Sequence, residues 1–131
     1  MTKENLRLLD ANLNRLREGI RVVEDIFRYI YNDKQNSSKL KSLRHDARLT
    51  NYDELLDARD IIGDVLKGTI KSELNRDDLK SILISNFKRA EESARVLEEF
   101  TKLNSSEDSS RFKNIRYELY DLEKSILKLE N

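Results

Sequence analysis

Three groups of residues in this chain have the type and spacing to do chemistry. The first is a matched pair of runs, Asn12-Leu13-Asn14-Arg15-Leu16-Arg17-Glu18-Gly19-Ile20-Arg21-Val22-Val23-Glu24 and Asn86-Phe87-Lys88-Arg89-Ala90-Glu91-Glu92-Ser93-Ala94-Arg95-Val96-Leu97-Glu98. Both read N-x-x-R-x-x-E-x-x-R-V-x-E, and the second follows the first at an offset of 74 positions. At about 100° per residue, Asn12 and Gly19 fall in or beside an apolar helical stripe and Arg15 at its edge; Asn86, Ser93 and Arg89 repeat this. The second group is Arg44 and Arg116, which border the stripes of the next helix in each half. Any one such arginine could lie along apolar surface and pair with a carboxylate. Four arginines and two asparagines around one bundle suit the binding of phosphate, since each guanidinium fork matches two oxygens.

The third group is Arg59, Asp60, Asp64 and Lys67, in the stretch between the two runs. Mg²⁺ typically takes one or two carboxylates plus phosphate oxygens, so Asp60 and Asp64 are candidate metal ligands. Gly63 and Gly68 would let the backbone approach a ligand. The spacing from Gly63 to Thr69 is not that of a P-loop and no strand precedes it, so a plain surface connection is an equal reading. Glu18, Glu24, Glu92 and Glu98 suit helix-surface pairing with Arg21, Arg95 and their neighbours, with a metal carboxylate at Glu18 or Glu92 as the alternative. His45, the only histidine, could act as acid, base or ligand. Its counterpart in the repeat is Tyr117, so a hydrogen-bonding ring would also satisfy the position.

The elements that must hold these groups are helices. Leu6, Leu9, Leu13, Leu16, Ile20, Val23, Phe27 and Ile30 step by three or four and draw one stripe along a first helix. Leu40, Leu43 and Ala47 mark a second, with Ser37 and Ser38 as capping candidates. Leu79, Ile82, Leu83, Phe87, Ala90, Ala94 and Leu97 mark a third, opened by Asn75 and Asp78. Phe112, Ile115, Leu119, Leu122, Ile126 and Leu129 mark a fourth, opened by Ser105 and Asp108. The short polar connections at Asn32–Asn36 and Asn104–Ser106 make each successive pair antiparallel. Lys41-Ser42-Leu43-Arg44-His45-Asp46 also matches Lys113-Asn114-Ile115-Arg116-Tyr117-Glu118, now at an offset of 72. The repeat therefore extends to a whole αα-hairpin. The expected fold is an all-α four-helix bundle with a pseudo-twofold axis, made of hairpins 3–50 and 76–130. Between them runs a linker, 51–75, long enough to be functional, with a helical turn over Tyr52–Ala58.

The bulk composition narrows the function. At 131 residues the chain makes one domain. Lys+Arg balance Asp+Glu at 25 each within a charged fraction of 38%, which suits helices with mixed ion pairs on their outer faces. It lacks the basic excess of a nucleic-acid binder. No cysteine is present, which excludes disulfides and thiolate metal sites. With no run of roughly 20 apolar residues and no signal-peptide core, a membrane role is not expected and a soluble cytoplasmic protein is. A homodimer is compatible with all of this.

Taken together, Leu9 to Asp25, Leu43-Arg44-His45-Asp46, Ala58-Arg59-Asp60 with Gly63-Asp64-Val65, and Asn86 to Phe100 resemble the small monofunctional hydroxymethylpyrimidine-phosphate kinase family. That family occurs alone or fused in front of thiamine-phosphate synthase, and the length here fits the stand-alone form. One departure is Leu66, where the resemblance leads one to expect glycine. The resemblance implies ATP-dependent phosphorylation of 4-amino-5-hydroxymethyl-2-methylpyrimidine phosphate to the diphosphate. An acceptor phosphate oxygen is ionised near neutral pH, so the work reduces to aligning two anions and neutralising charge. On that chemistry the expected catalytic residues are Arg59, Asp60, Arg15 and Arg89. Asn12, Arg44, His45, Asn86, Arg116 and Lys67 would bind substrate or phosphate, and Asp60, Asp64 and Glu92 would hold Mg²⁺. Two rival readings remain: a Mg²⁺-dependent nucleotide pyrophosphohydrolase using Glu91, Glu92, Glu98 and Glu99, and a non-catalytic helical module docking onto a thiamine-pathway enzyme.

Overall fold

The computed structural model describes residues 1–130, less the side chains of Ser72, Leu129 and Glu130, so the last residue of the fourth stripe lies outside the description. Five α-helices follow one another: α1 Lys3–Asp25, α2 Lys34–Asp46, α3 Tyr52–Ala58, α4 Leu79–Thr101 and α5 Ser106–Glu130. A π-helical turn, Ile26–Ile30, extends α1, and a 3₁₀ turn, Lys71–Glu73, sits in the linker. No strand occurs among the described residues. Among the described residues no helix is long and apolar enough to cross a membrane.

Local chemistry sets the helix starts. Thr2 accepts from the Asn5 N–H, Asp33 from Asn36, Asp78 from Ser81 and Ser105 from Asp108. Each satisfies a backbone donor that the first turn leaves unpaired. Two starts differ from the sequence expectation. Asp33 rather than Ser37 or Ser38 opens α2, because its carboxylate reaches the Asn36 backbone and side chain together. Asp78 caps α4 itself, where Asn75 was expected to begin it. At the end of α1 the Tyr31 N–H reaches the Ile26 carbonyl. This wider loop inserts residues into the helical phase, so Ile26 and Phe27 stay buried while Ile30 turns outward. Asn32, at φ 51°, then closes the turn into α2, a conformation asparagine tolerates better than most residues.

The four long helices make a bundle in which α1 packs on α4, α2 on α1 and α5 on α4. Its core is the apolar stripes themselves: Leu9, Leu16, Ile20 and Val23 meet Leu83, Phe87, Ala94 and Leu97, with Leu40 and Leu43 on one flank and Phe112, Ile115 and Leu119 on the other. Gly19 brings α1 and α4 into close approach, because a Cβ there would stand 3.0 Å from the Asn86 carbonyl oxygen and 3.3 Å from Ala90. The short α3 lays Leu55 and Ala58 against α1.

The duplication shows in bonds as well as in sequence. Asn12 Nδ2 donates to the Leu8 carbonyl at 3.0 Å, and Asn86 Nδ2 to the Ile82 carbonyl at 2.9 Å. Arg44 meets the buried Glu24 with Nε at 2.6 Å and Nη2 at 3.2 Å. Arg116, its counterpart, meets the buried Glu98 with Nε at 3.0 Å and Nη2 at 2.9 Å. Each hairpin is thus tied across its two helices by the same ion pair.

The buried carboxylate of Glu91 has no counterpart in the first half. Glu91 is buried on α4, its Oε1 takes Lys88 Nζ at 3.1 Å, and its Oε2 has no hydrogen-bond partner among the described residues. Burial pushes this carboxyl up to about 7 from 4.5, the Glu123 carboxyl beside it adds to the rise, and Lys88 opposes it. A carboxyl whose pKa is raised on folding holds its proton more tightly in the folded chain. Stability is therefore greatest below the unfolded value and falls as pH rises through the window up to about 7. Urea unfolding should show a loss of about 1–3 kcal/mol across that window, and Glu91→Gln should remove the slope. An unchanged slope in the variant would assign the pH dependence to other groups.

Candidate functional site

Two hollows open side by side along α1. One, of about 570 Å³, is walled by α1 and α4, and its walls pair off: Asn12 with Asn86, Arg15 with Arg89, Glu18 with Glu92, Gly19 with Ser93 and Val22 with Val96. Every pair keeps the offset of 74. Glu73, from the linker, is the wall residue outside this pairing. The other hollow, of about 430 Å³, lies between the first turns of α1 and the linker, and Arg7, Asp10, Arg59, Asp60, Ile61 and Asp64 line it. Asn12 and Arg15 line both.

The bonding state of the arginines separates scaffold from site. Arg15 and Arg89 are exposed and, among the described residues, make neither an ion pair nor a hydrogen bond. The same holds for Glu18 and Glu92. Asn12 and Asn86 spend their amide N–H on the helix, which leaves each Oδ1 as an acceptor at the wall. Two guanidinium forks, two carboxylates and two amide oxygens thus stand ready around one cavity.

The linker is held against α1 by charge. Arg59 donates from Nε and Nη2 to the two oxygens of Asp10 at 2.8 and 2.9 Å, a fork-to-fork pair over a buried carboxylate. Arg7 Nη2 donates to the Asp60 carbonyl at 2.9 Å. Asp60 Oδ1 accepts from the Gly63 N–H at 2.8 Å and Asp64 Oδ1 from the Leu66 N–H at 3.0 Å, so each keeps its second oxygen outside these bonds. A Cβ on Gly63 would collide with the Asp60 carboxylate. Glycine here makes room for a side chain rather than for a ligand against the backbone.

The structure therefore brings Asn12, Arg15, Arg59, Asp60 and Asp64 to one hollow, and Asn12, Arg15, Asn86, Arg89 and Glu92 to its neighbour. It does not bring Arg44, Arg116, His45 or Lys67 to either. Arg44 and Arg116 sit in the hairpin ion pairs, while His45 and Lys67 are exposed elsewhere. Glu92 lies in the hollow that Asp60 and Asp64 do not line. No group of three or more acidic or histidine side chains that could hold a metal ion occurs among the described residues. Arg7 and Asp10 were not singled out from sequence. The available signal was an acidic residue, Asp10, directly beside the core leucine Leu9 and three places after Arg7 on the same helix.

Comparison with known proteins gives a consistent result. The model of the ThiD2 family matches residues 7–125. Among curated proteins, the chain is 40% identical over 122 residues to a thiamine-phosphate synthase of Nostoc punctiforme, covering 92% of this chain and 35% of that protein. It is 39% identical over 122 residues to the thiamine-phosphate synthase of Synechocystis, covering 92% and 36%. With the thiamine-phosphate synthase of Rhodopirellula baltica it shares 40% over 120 residues, covering 88% and 32%. The chain thus spans about a third of the length of these relatives. No solved structure matches it.

Proposed function

The chain belongs to the ThiD2 family, and we propose that it is a cytoplasmic, ATP-dependent kinase converting 4-amino-5-hydroxymethyl-2-methylpyrimidine phosphate to the diphosphate in thiamine biosynthesis. The observation that carries this reading is the pair of arginines, Arg15 and Arg89, that line one cavity from equivalent positions and have no partner among the described residues. Transfer of a phosphoryl group from one phosphate to another passes through a nearly symmetric anion, with a phosphate oxygen on either side of the moving phosphorus. Two matched forks suit that charge distribution. The relatives' names, thiamine-phosphate synthase, favour the same pathway for this chain.

The step needs no base. An ionised oxygen of the acceptor's phosphate attacks the γ-phosphorus of ATP, and the bond from that phosphorus to the β–γ bridging oxygen breaks. The bridging oxygen leaves with the electron pair as ADP, and the new P–O bond completes the diphosphate. Asp60 and Asp64 are the residues that would hold Mg²⁺, because both line the linker-side hollow and each has an oxygen outside its backbone hydrogen bond. Two carboxylates suit an ion that draws its other ligands from phosphate and water. The bound ion would neutralise charge on the donor phosphates. The Oδ1 of Asn12 or Asn86 would accept from the pyrimidine's amino group.

The hydrolase reading is less well supported. Of its four carboxylates, Glu91 is bonded to Lys88, Glu98 to Arg116 and Arg95, and Glu99 to Lys102 and Arg95. An ADP-release assay run with the pyrimidine phosphate, the free pyrimidine and no acceptor should give ADP in the first arm alone. ADP without an acceptor would move the assignment to a hydrolase. No ADP in any arm, with no thermal stabilisation by ATP–Mg²⁺ or the pyrimidine phosphate, would favour the docking module.

A further inference from the structure

The repeat gives α1 and α4 matching faces, but what lies next to those faces does not match. Residues 74 positions after Arg7 and Asp10 are Ser81 and Ile84. The second half therefore has neither the arginine that holds the linker backbone nor the carboxylate that grips Arg59. The linker occurs once in the chain, so the hollow carrying Arg59, Asp60 and Asp64 exists on the α1 side only. A symmetric cavity by itself would accept its two ligands in either sense. The linker removes that ambiguity.

We propose that the two hollows are subsites with fixed occupants. The linker-side hollow takes the polyphosphate tail of the nucleoside triphosphate, and the helix-walled hollow takes the phosphorylated aminopyrimidine. This assignment rests on the kinase reading and deepens it. A triphosphate with its divalent ion needs both a cation and free carboxylate oxygens, and the linker side offers Arg7, Asp60 and Asp64, with Arg59 paired to Asp10 beside them. An aromatic amine with a single phosphate needs a fork and neutral hydrogen-bonding groups. The helix-walled side offers Arg89, Asn86 and the buried Ser93 hydroxyl. Donor and acceptor must touch for in-line transfer. The walls the two hollows share are Asn12 and Arg15. Arg15 accordingly meets the phosphoryl group that moves, and Arg89 meets the phosphate that receives it.

Steady-state kinetics with ATP and the pyrimidine phosphate varied independently test the assignment. Arg7→Ala and Asp64→Asn are the informative donor-side variants, since Arg59→Ala would strand the buried Asp10 and unfold part of the sample. Both should raise KM for ATP about 10-fold or more and leave KM for the acceptor within about twofold, because each loses a charged contact to one ligand only. Arg89→Ala should do the reverse. Thermal melts of Asp64→Asn and Arg89→Ala should match the unsubstituted chain, since neither residue has an ion-pair partner among the described residues; Arg7→Ala, which loses the bond to the Asp60 carbonyl, should melt slightly earlier. If Arg89→Ala selectively raises KM for ATP, or if all three variants raise both constants alike, the assignment is overturned while the kinase reading stands. If the unsubstituted chain forms no ADP with the acceptor present, the kinase reading is overturned and the assignment falls with it.

Discussion

Arg44→Ala should lower the free energy of unfolding by about 3–5 kcal/mol, while the molecules that remain folded keep their specific activity. The Glu24 carboxylate is 1% exposed and the Arg44 side chain 13%. Deleting the arginine leaves a buried charge with no partner, and that penalty exceeds the net worth of the pair itself. The equivalent variant Arg116→Ala should cost less. Glu98 keeps a second cation there, Arg95 Nη1 at 3.1 Å from its Oε2, whereas Glu24 has no such reserve among the described residues. Replacing both members of the first pair, as in Glu24→Leu with Arg44→Met, should recover most of the loss, because no charge is then left buried. Urea melts and the ADP-release assay on the same preparations decide the matter. An Arg44→Ala protein with an unchanged midpoint and lost turnover would make this arginine the phosphate ligand that its place in the sequence suggests.

That contrast shows where the sequence was legible and where it was not. The stripe from Leu9 to Phe27 and the repeated run at Asn86 reported the helices and their duplication, since a core imposes a period that survives in a single chain. The same period located Asn12, Arg15, Asn86 and Arg89 at the cavity wall, because a residue at the edge of a buried stripe must line whatever opens there. The period carries no information about pairing between elements. Arg44 and Arg15 look alike on a helical wheel, yet one meets Glu24 across the hairpin and the other meets nothing among the described residues. The linker was visible as an unrepeated segment, and Tyr52–Ala58 as its helical turn. Its attachment through Asp10 depends on a contact spanning 49 positions, which local pattern does not encode. The π-turn was hidden for a related reason. Ile30 fits the stripe in sequence, and only the wider loop beginning at Ile26 turns it to solvent.

Arg15→Ala should lower kcat by on the order of 10²-fold or more, about 2.7 kcal/mol, with no change in melting temperature. The size follows from its proposed place, at the junction of the two hollows, where it would meet charge that develops during transfer. Stability is expected to hold because the side chain is exposed and has no ion-pair or hydrogen-bond partner among the described residues. Asp60→Asn should likewise cut turnover strongly, since the neutral amide is a poor ligand for a divalent ion. Its backbone anchor to Arg7 runs through the Asp60 carbonyl and survives the change. Arg59→Ala is the control that behaves differently. It should lose both activity and stability, because Asp10 is left buried without its fork. If Arg15→Ala and Asp60→Asn melted early yet kept full specific activity, both residues would belong to the scaffold. A mutant that merely distorts the bundle cannot imitate the expected result, since distortion would lower the melting temperature of all three variants together. Loss of turnover at an unchanged melting temperature in the first two, set against loss of both in the third, is what a site must give when its working side chains, on α1 and on the linker, make no ion pair among the described residues.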